Sequence, residues 1–92
     1  MGEELFEKLM VRKRSGKLQK FDKRKLLNGM IKAGAKREIA EEVTRIVLKD
    51  IQERIKKPVI DYKKLGNLVI AELRKYDALA AKNFEQFFRK KK

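Results

Sequence analysis

Residues 10–26 read MVRKRSGKLQKFDKRKL, and this stretch decides how the rest of the chain folds. Ser15-Gly16 separates two short runs in which apolar and polar residues alternate, which predicts a β-hairpin with Gly16 at positive φ. Asp22 stands where it can cap a helix that begins at about Lys23. Because a two-stranded hairpin is marginal alone in water, we expect it to pack on the helices that follow.

The remainder of the chain has the apolar periodicity of amphipathic helices. Four helices are predicted, at about residues 23–33, 37–57, 62–75 and 78–90. Gly34 is expected to end the first helix, and Pro58 to stop the second at Lys56-Lys57. The predicted fold class is therefore mainly α (α+β), with an N-terminal β-hairpin packed on a four-helix cluster.

The segments between the later helices carry signals for helix starts. Val59 to Asp61 is predicted to be a short extended link, and Asp61 and Asp77 are expected to cap the third and fourth helices. The apolar side chains of the fourth helix are expected to lie inside the core: Leu79, Ala80, Phe84, Phe87 and Phe88.

The chain of 92 residues is long enough for one small core. We expect residues 1–9 to be a lead-in segment and residues 10–92 to form the domain. No apolar run reaches the roughly 18 residues that a membrane span needs, so we expect a cytoplasmic protein without a membrane partner.

Two absences limit the chemistry that this chain can perform. It contains no cysteine, which excludes a disulfide framework and thiolate zinc sites. It also contains no histidine, the commonest general base. No converging set of Asp, Glu, Lys or Tyr replaces it, so an enzyme is not expected.

The charge of the chain is strongly positive. Twenty-six Lys and Arg residues against thirteen Asp and Glu residues leave a formal charge of +13. A field of this sign attracts nucleotides, nucleic acids or acidic proteins. The same composition is also typical of heat-adapted proteins, in which surface charge contributes to stability, and the sequence leaves both interpretations open.

The hairpin is the strongest candidate for a ligand site. Alternation would send Val11 and Lys13 to one face of the strand and Arg12 and Arg14 to the other. At least one cation would then lie near the start of the first helix, where backbone N–H groups favour anions, and Lys25 adds a charge there. The alternative is an exposed edge strand whose lysines discourage aggregation.

The order of these residues resembles a known family. The series Val11-x-Lys13-Arg14-x-Gly16, Phe21-Asp22 and Lys25-Leu26 is similar to the opening signature of the ATP-cone domain. The later residues resemble its third and fourth helices, in the version found in bacterial repressors of ribonucleotide reductase genes: Leu65-Gly66-x-Leu68-Val69, Glu72-Leu73 and Ala80-x3-Phe84-x3-Phe88-Arg89. The likeness covers about residues 10–89.

The resemblance implies an allosteric module that binds ATP or dATP without hydrolysing it. The hairpin would be a lid over a pocket made by the helices, and Mg²⁺ would accompany the phosphates. The implied nucleotide contacts are Val11, Lys13, Arg14, Gln19, Asp22 and Lys25. In this assignment the cations meet phosphate, and Asp22, assisted by Gln19, accepts a hydrogen bond from the exocyclic amine of adenine.

The resemblance also implies partners, and the sequence departs from the family in two respects. A homo-oligomer or an unidentified regulated protein would respond to the nucleotide. The absence of cysteine removes the zinc ribbon of the repressors, so we expect a freestanding sensor or a piece of a larger protein. Tyr62 and Gly66 stand where some members have Thr and His. A basic nucleic-acid-binding module and a degenerate cone used as an interaction domain stay open as alternatives.

Overall fold

A computed structural model of the chain describes residues 9–55 and 58–90. The elements in chain order are β1 (Met10–Arg12), β2 (Leu18–Lys20), α1 (Lys23–Lys32), α2 (Arg37–Asp50), a π-helical turn (Ile51–Ile55), β3 (Val59–Asp61), α3 (Tyr62–Tyr76) and α4 (Ala78–Lys90). The predicted mainly α (α+β) fold class is confirmed. Residues 1–8 of the expected lead-in and the last two residues of the chain lie outside the described residues.

β1 and β2 form the predicted hairpin. The Lys13 N–H donates to the Lys17 carbonyl at 2.8 Å, and the Gly16 N–H donates to the Lys13 carbonyl at 2.9 Å. Gly16 has a φ of 90°, which a residue with a Cβ rarely adopts. Because β1 ends at Arg12, Lys13 and Arg14 belong to the turn and not to the regular strand.

The hairpin is part of a larger sheet than predicted. The segment expected to be a plain extended link is β3, which pairs parallel with β1 in register Val11 to Ile60. The sheet order is β2-β1-β3, so β1 is the central strand. This pairing joins residues about fifty positions apart, and a three-residue strand has too little alternation to reveal its partner.

One face of this sheet closes the core. Leu9, Val11 and Ile60 are buried. They join a cluster whose helical members include Met30, Val43, Val69 and Leu73. The hairpin therefore packs on the helices, as the marginal stability of an isolated hairpin requires.

Of three predictions about helix ends, the structure confirms two. Asp22 caps α1, and Gly34 after that helix has a φ of 109°, as expected. The second helix was expected to end at Lys56-Lys57, which lie outside the described residues; α2 ends at Asp50, and a π-helical turn that was not predicted continues the helix to Ile55. π-helical turns leave no distinct mark on apolar periodicity, so the sequence did not indicate this one.

The caps of the two later helices also differ from each other. The Ala80 N–H donates to Asp77 Oδ1 at 3.0 Å, so the predicted cap of α4 is confirmed. Asp61 occupies the N-cap position of α3, but its side chain makes no capping hydrogen bond, so the second cap prediction is wrong. Its carboxylate instead pairs with Arg12.

The apolar residues of α4 are divided between the core and the surface. Ala80 and Phe84 are buried and Phe88 is half-buried, in a row with a spacing of four. Leu79 and Phe87 were expected inside, which is wrong, since they are 69% and 51% exposed. Each lies one position, or about 100°, away from the contact row. Among the described residues, no helix is long and apolar enough to cross a membrane.

Candidate functional site

The tip of the hairpin carries two of the predicted site residues. Lys13 and Arg14 are exposed and adjacent in the turn. Neither forms an ion pair with a carboxylate in the part of the chain that the structure describes. Both cations are therefore available to an anionic ligand.

Val11 and Gln19 lie together on the inner face of the sheet. They are Cα partners across the antiparallel pair, which puts both side chains on the same face. Val11 is 9% exposed and belongs to the core, while Gln19 is half-buried. Val11 thus fixes how the hairpin seats on the helices, and Gln19 offers an amide at the edge of that contact.

Asp22 and Lys25 meet at the start of α1. Asp22 Oδ1 accepts the backbone N–H groups of Arg24 at 3.0 Å and Lys25 at 3.3 Å. Among the described residues nothing donates to Asp22 Oδ2, and the Lys25 amine has no carboxylate partner. One carboxylate oxygen thus holds the helix start, and the other can accept from a ligand.

Four of the six predicted residues form two groups at opposite ends of β2. Lys13 and Arg14 lie at the tip of the hairpin, and Asp22 and Lys25 follow the other end of this strand. Lys13 pairs with Lys17 at the turn, and the five steps from Lys17 to Asp22 span about 16 Å of extended chain. No hydrogen bond or ion pair among the described residues links the two groups. The elongated arrangement suits a ligand with two chemically different ends.

An aromatic contact that the sequence did not predict joins α3 and α4. The rings of Tyr62 and Phe88 are 4.6 Å apart at their centroids. Burial raises the pKa of the Tyr62 phenol, and the Arg14 guanidinium opposes this rise. Arg14 is therefore close enough to Tyr62 to act on its hydroxyl electrostatically.

Gly66 provides the space that Phe88 fills. A Cβ added at Gly66 would lie 2.2 Å from Phe88 Cζ, so the ring or the helix would have to shift to accept it. The sequence interpretation treated Phe88 as ordinary core. The signals for the contact were a glycine within the helix, which permits close approach of a neighbour, and its spacing of four from Tyr62, which puts both on one face.

Two surface cavities in the described part of the chain lie away from the predicted residues. A cavity of about 460 Å³ is lined by Asp61, Lys63, Lys64, Asn67 and Leu68. A second, of about 340 Å³, lies between α2 and α3 and is lined by charged residues such as Lys49 and Glu72 and by apolar residues such as Leu68. Within the described ranges, no group of three or more acidic side chains is arranged to hold a metal ion.

The chain matches the family model of the ATP cone domain over residues 9–91. It is 41% identical over 86 residues to the transcriptional repressor NrdR of Thermotoga neapolitana, covering 88% of this chain and 54% of that protein. It is 35% identical over 85 residues to NrdR of Heliobacterium modesticaldum, with 88% and 55% covered. NrdR of Thermus thermophilus is 34% identical over 83 residues, with 90% and 54% covered.

The chain spans about half the length of the curated relatives it matches. The matched region contains every described element, from β1 to α4. The resemblance drawn from the hairpin and the closing helices is therefore confirmed: this chain belongs to the ATP-cone domain family.

Proposed function

We propose that this domain binds an adenine nucleotide, ATP or dATP, without hydrolysing it, and that the bound nucleotide changes how the protein associates. The observation that carries the proposal is the set of three unpaired cations around β2. Lys13 and Arg14 stand at the hairpin tip and Lys25 at the start of α1. A ribonucleotide or deoxyribonucleotide triphosphate supplies the negative charge that this set lacks.

The base end of the ligand is assigned to Asp22. Its Oδ1 is occupied by two backbone N–H groups, so the cap keeps the carboxylate in one orientation. Its Oδ2 can then accept from the exocyclic amine of adenine, with the Gln19 amide nearby on β2. Guanine presents a carbonyl in place of this amine and would repel the carboxylate, so adenine is favoured.

Mg²⁺ would enter with the nucleotide and not as a resident ion. Mg²⁺ in nucleotide sites is usually held by phosphate oxygens and water with one or two carboxylates. Within the described ranges, the chain has no group of three or more acidic side chains for a metal. The protein's part is to hold the phosphates with Lys13, Arg14 and Lys25.

The regulatory part of the proposal is linkage between nucleotide and assembly. A nucleotide that prefers one assembly state shifts the population toward that state. The relatives that the chain matches are named transcriptional repressors. By analogy we propose that a second copy of this chain, or a protein that it regulates, reads the nucleotide state.

Thermal melting with ATP, dATP, GTP and no ligand tests the binding. Nucleotide at about 100 times its Kd adds about 2.7 kcal/mol of stability. For a domain of this size, that corresponds to a rise in melting temperature of about 10–20 °C. We expect the rise with ATP or dATP and not with GTP. An unchanged melting temperature at millimolar ATP contradicts the proposal.

Lys13→Ala is the diagnostic variant, and Lys82→Ala is its matched control. Both remove one exposed lysine without a carboxylate partner in the described part of the chain. We expect both variants to melt like the wild type without ligand, and only Lys13→Ala to lose the response to ATP. Equal responses of the two variants would remove Lys13 from the site. Sedimentation of the wild type with and without ATP then tests the change in assembly.

A further inference from the structure

The positive charge of the chain is concentrated in one part of the fold. Residues 10–37 contain eleven Lys or Arg residues and one Asp, a net charge of +10 out of the +13 of the whole chain. The nucleotide proposal uses three of these cations, Lys13, Arg14 and Lys25. The cations that remain in this region are more than the phosphates of one nucleotide would neutralise.

Of the remaining cations, two lie on the outer face of α1 and two lie within four residues of its ends, and we call these four the cationic strip. They are Lys20, Arg24, Lys32 and Lys36, all exposed. Arg24 and Lys32 are eight residues apart on the same helix, with the exposed Asn28 between them, so the three form a row on the outer face. Met30 on the opposite face is fully buried, which fixes that row toward solvent.

The strip does not serve the ion-pair networks that stabilise heat-adapted proteins. None of its four cations has a carboxylate partner among the residues that the structure describes. Such networks need opposite charges in contact. The positive charge of the strip therefore stays available to a polyanion.

We propose that the cationic strip binds the phosphate backbone of a nucleic-acid duplex, at a surface separate from the nucleotide site. The ten residues of α1 span about 15 Å, and one strand of a duplex carries a charge about every 3.4 Å along its axis. The helix is thus matched in length to about four phosphates. Contacts of this kind position a protein on a duplex without reading its sequence.

The side chains of the strip favour a duplex over two other polyanions. An acidic protein partner would be expected to bury an apolar centre within the interface. The strip itself has none, and the two apolar side chains at its border, Ile31 at 38% and Leu18 at 51% exposed, belong to different elements and form no such centre. A single strand is bound by aromatic side chains on which bases stack, and the strip has no aromatic residue.

The test is binding of a mixed-sequence duplex of about 20 base pairs, followed by fluorescence anisotropy at several salt concentrations. The strip variant carries Lys20→Gln, Arg24→Gln and Lys32→Gln. The control carries Lys63→Gln, Lys64→Gln and Lys82→Gln, which remove the same charge from α3 and α4. Each phosphate contact contributes about 0.9 to the slope of log affinity against log salt, so the strip variant should lose up to about 2.7.

We expect the wild type and the control to bind the duplex more tightly than the strip variant does. We also expect their affinity to fall more steeply as the salt concentration rises. Equal losses in the two variants would mean that only the overall charge matters, and would overturn the proposal. Tighter binding of a single strand, or binding of polyglutamate but not of duplex, would overturn it as well. Melting with ATP separates this result from the nucleotide proposal, because the strip variant keeps Lys13, Arg14, Asp22 and Lys25.

Discussion

The Arg12 guanidinium and the Asp61 carboxylate lie 3.5 Å apart across the parallel pair of β1 and β3. The two residues are Cα partners in this pair, so their side chains project from the same face of the sheet. Asp61 is the last residue of β3 and also the N-cap of α3. The strand pairing turns its carboxylate toward Arg12, and the helix start is left without a side-chain cap.

Asp77→Ala and Asp61→Ala should differ in their effect on stability, although the sequence predicts the same role for both residues. Asp77 accepts the Ala80 N–H, and loss of such a cap costs about 1 kcal/mol. Asp61 makes only an ion pair between well-exposed side chains, worth about 0–1 kcal/mol. Urea unfolding of the two variants measures the difference, and a larger loss for Asp61→Ala would contradict this account.

Gly66→Ala should destabilise the domain even though alanine is the better helix former. The new Cβ would meet Phe88 Cζ at 2.2 Å, and overpacking of this kind costs about 1–3 kcal/mol. Helix propensity returns about 1 kcal/mol, so the expected net loss is about 1 kcal/mol.

The same substitution in a Phe88→Ala background is the control for that explanation. Without the ring there is no clash, and Gly66→Ala should then stabilise α3 by up to about 1 kcal/mol. Chemical unfolding of the four proteins gives the coupling between the two positions. Additive effects would show that the ring does not occupy the space over Gly66.

Tyr62→Phe should make the domain less sensitive to alkaline pH. Burial raises the pKa of the Tyr62 phenol above the value of about 10 in the unfolded chain. The neutral phenol is therefore favoured in the folded state, and the stability that follows is complete below about pH 10. It is lost as pH rises through the raised pKa, where the buried group ionises.

Melting temperatures at about pH 9 and about pH 11 test this expectation. The wild type should lose more stability over that range than Tyr62→Phe, because the variant has no phenol at this position to ionise. Tyr76→Phe is the matched control, since Tyr76 is 46% exposed. If removing Tyr76 protects the domain as well as removing Tyr62, burial of Tyr62 is not the cause.

Asp22→Asn should separate the two roles given to Asp22. Asparagine is as good an N-cap as aspartate, so the melting temperature without ligand should change little. With its carbonyl on the backbone N–H groups of Arg24 and Lys25, the amide would present N–H donors to the base. The response to ATP should weaken and the response to GTP, whose base offers a carbonyl, should rise. A variant that still prefers ATP over GTP would contradict the role of Asp22 in base recognition.

The sequence determined those features that depend on neighbours along the chain. The turn at Gly16, the cap at Asp22 and the stop at Gly34 each depend on a few adjacent residues, and each is in the structure as predicted. The caps Asp22 and Asp77 placed the starts of α1 and α4. The order of the hairpin residues, together with the motifs of the third and fourth helices, also indicated the family.

Tertiary structure alone decided the features that join distant residues. The pairing of β1 with β3 made a three-stranded sheet, drew Asp61 to Arg12 and left α3 without its expected cap. The seating of Phe88 over Gly66 and beside Tyr62 depends on how α3 and α4 cross. Local propensity carries no information about such contacts, because their energy exists only once the two elements meet. The hairpin at residues 10–26 is thus a local structure whose surroundings are set by the rest of the fold.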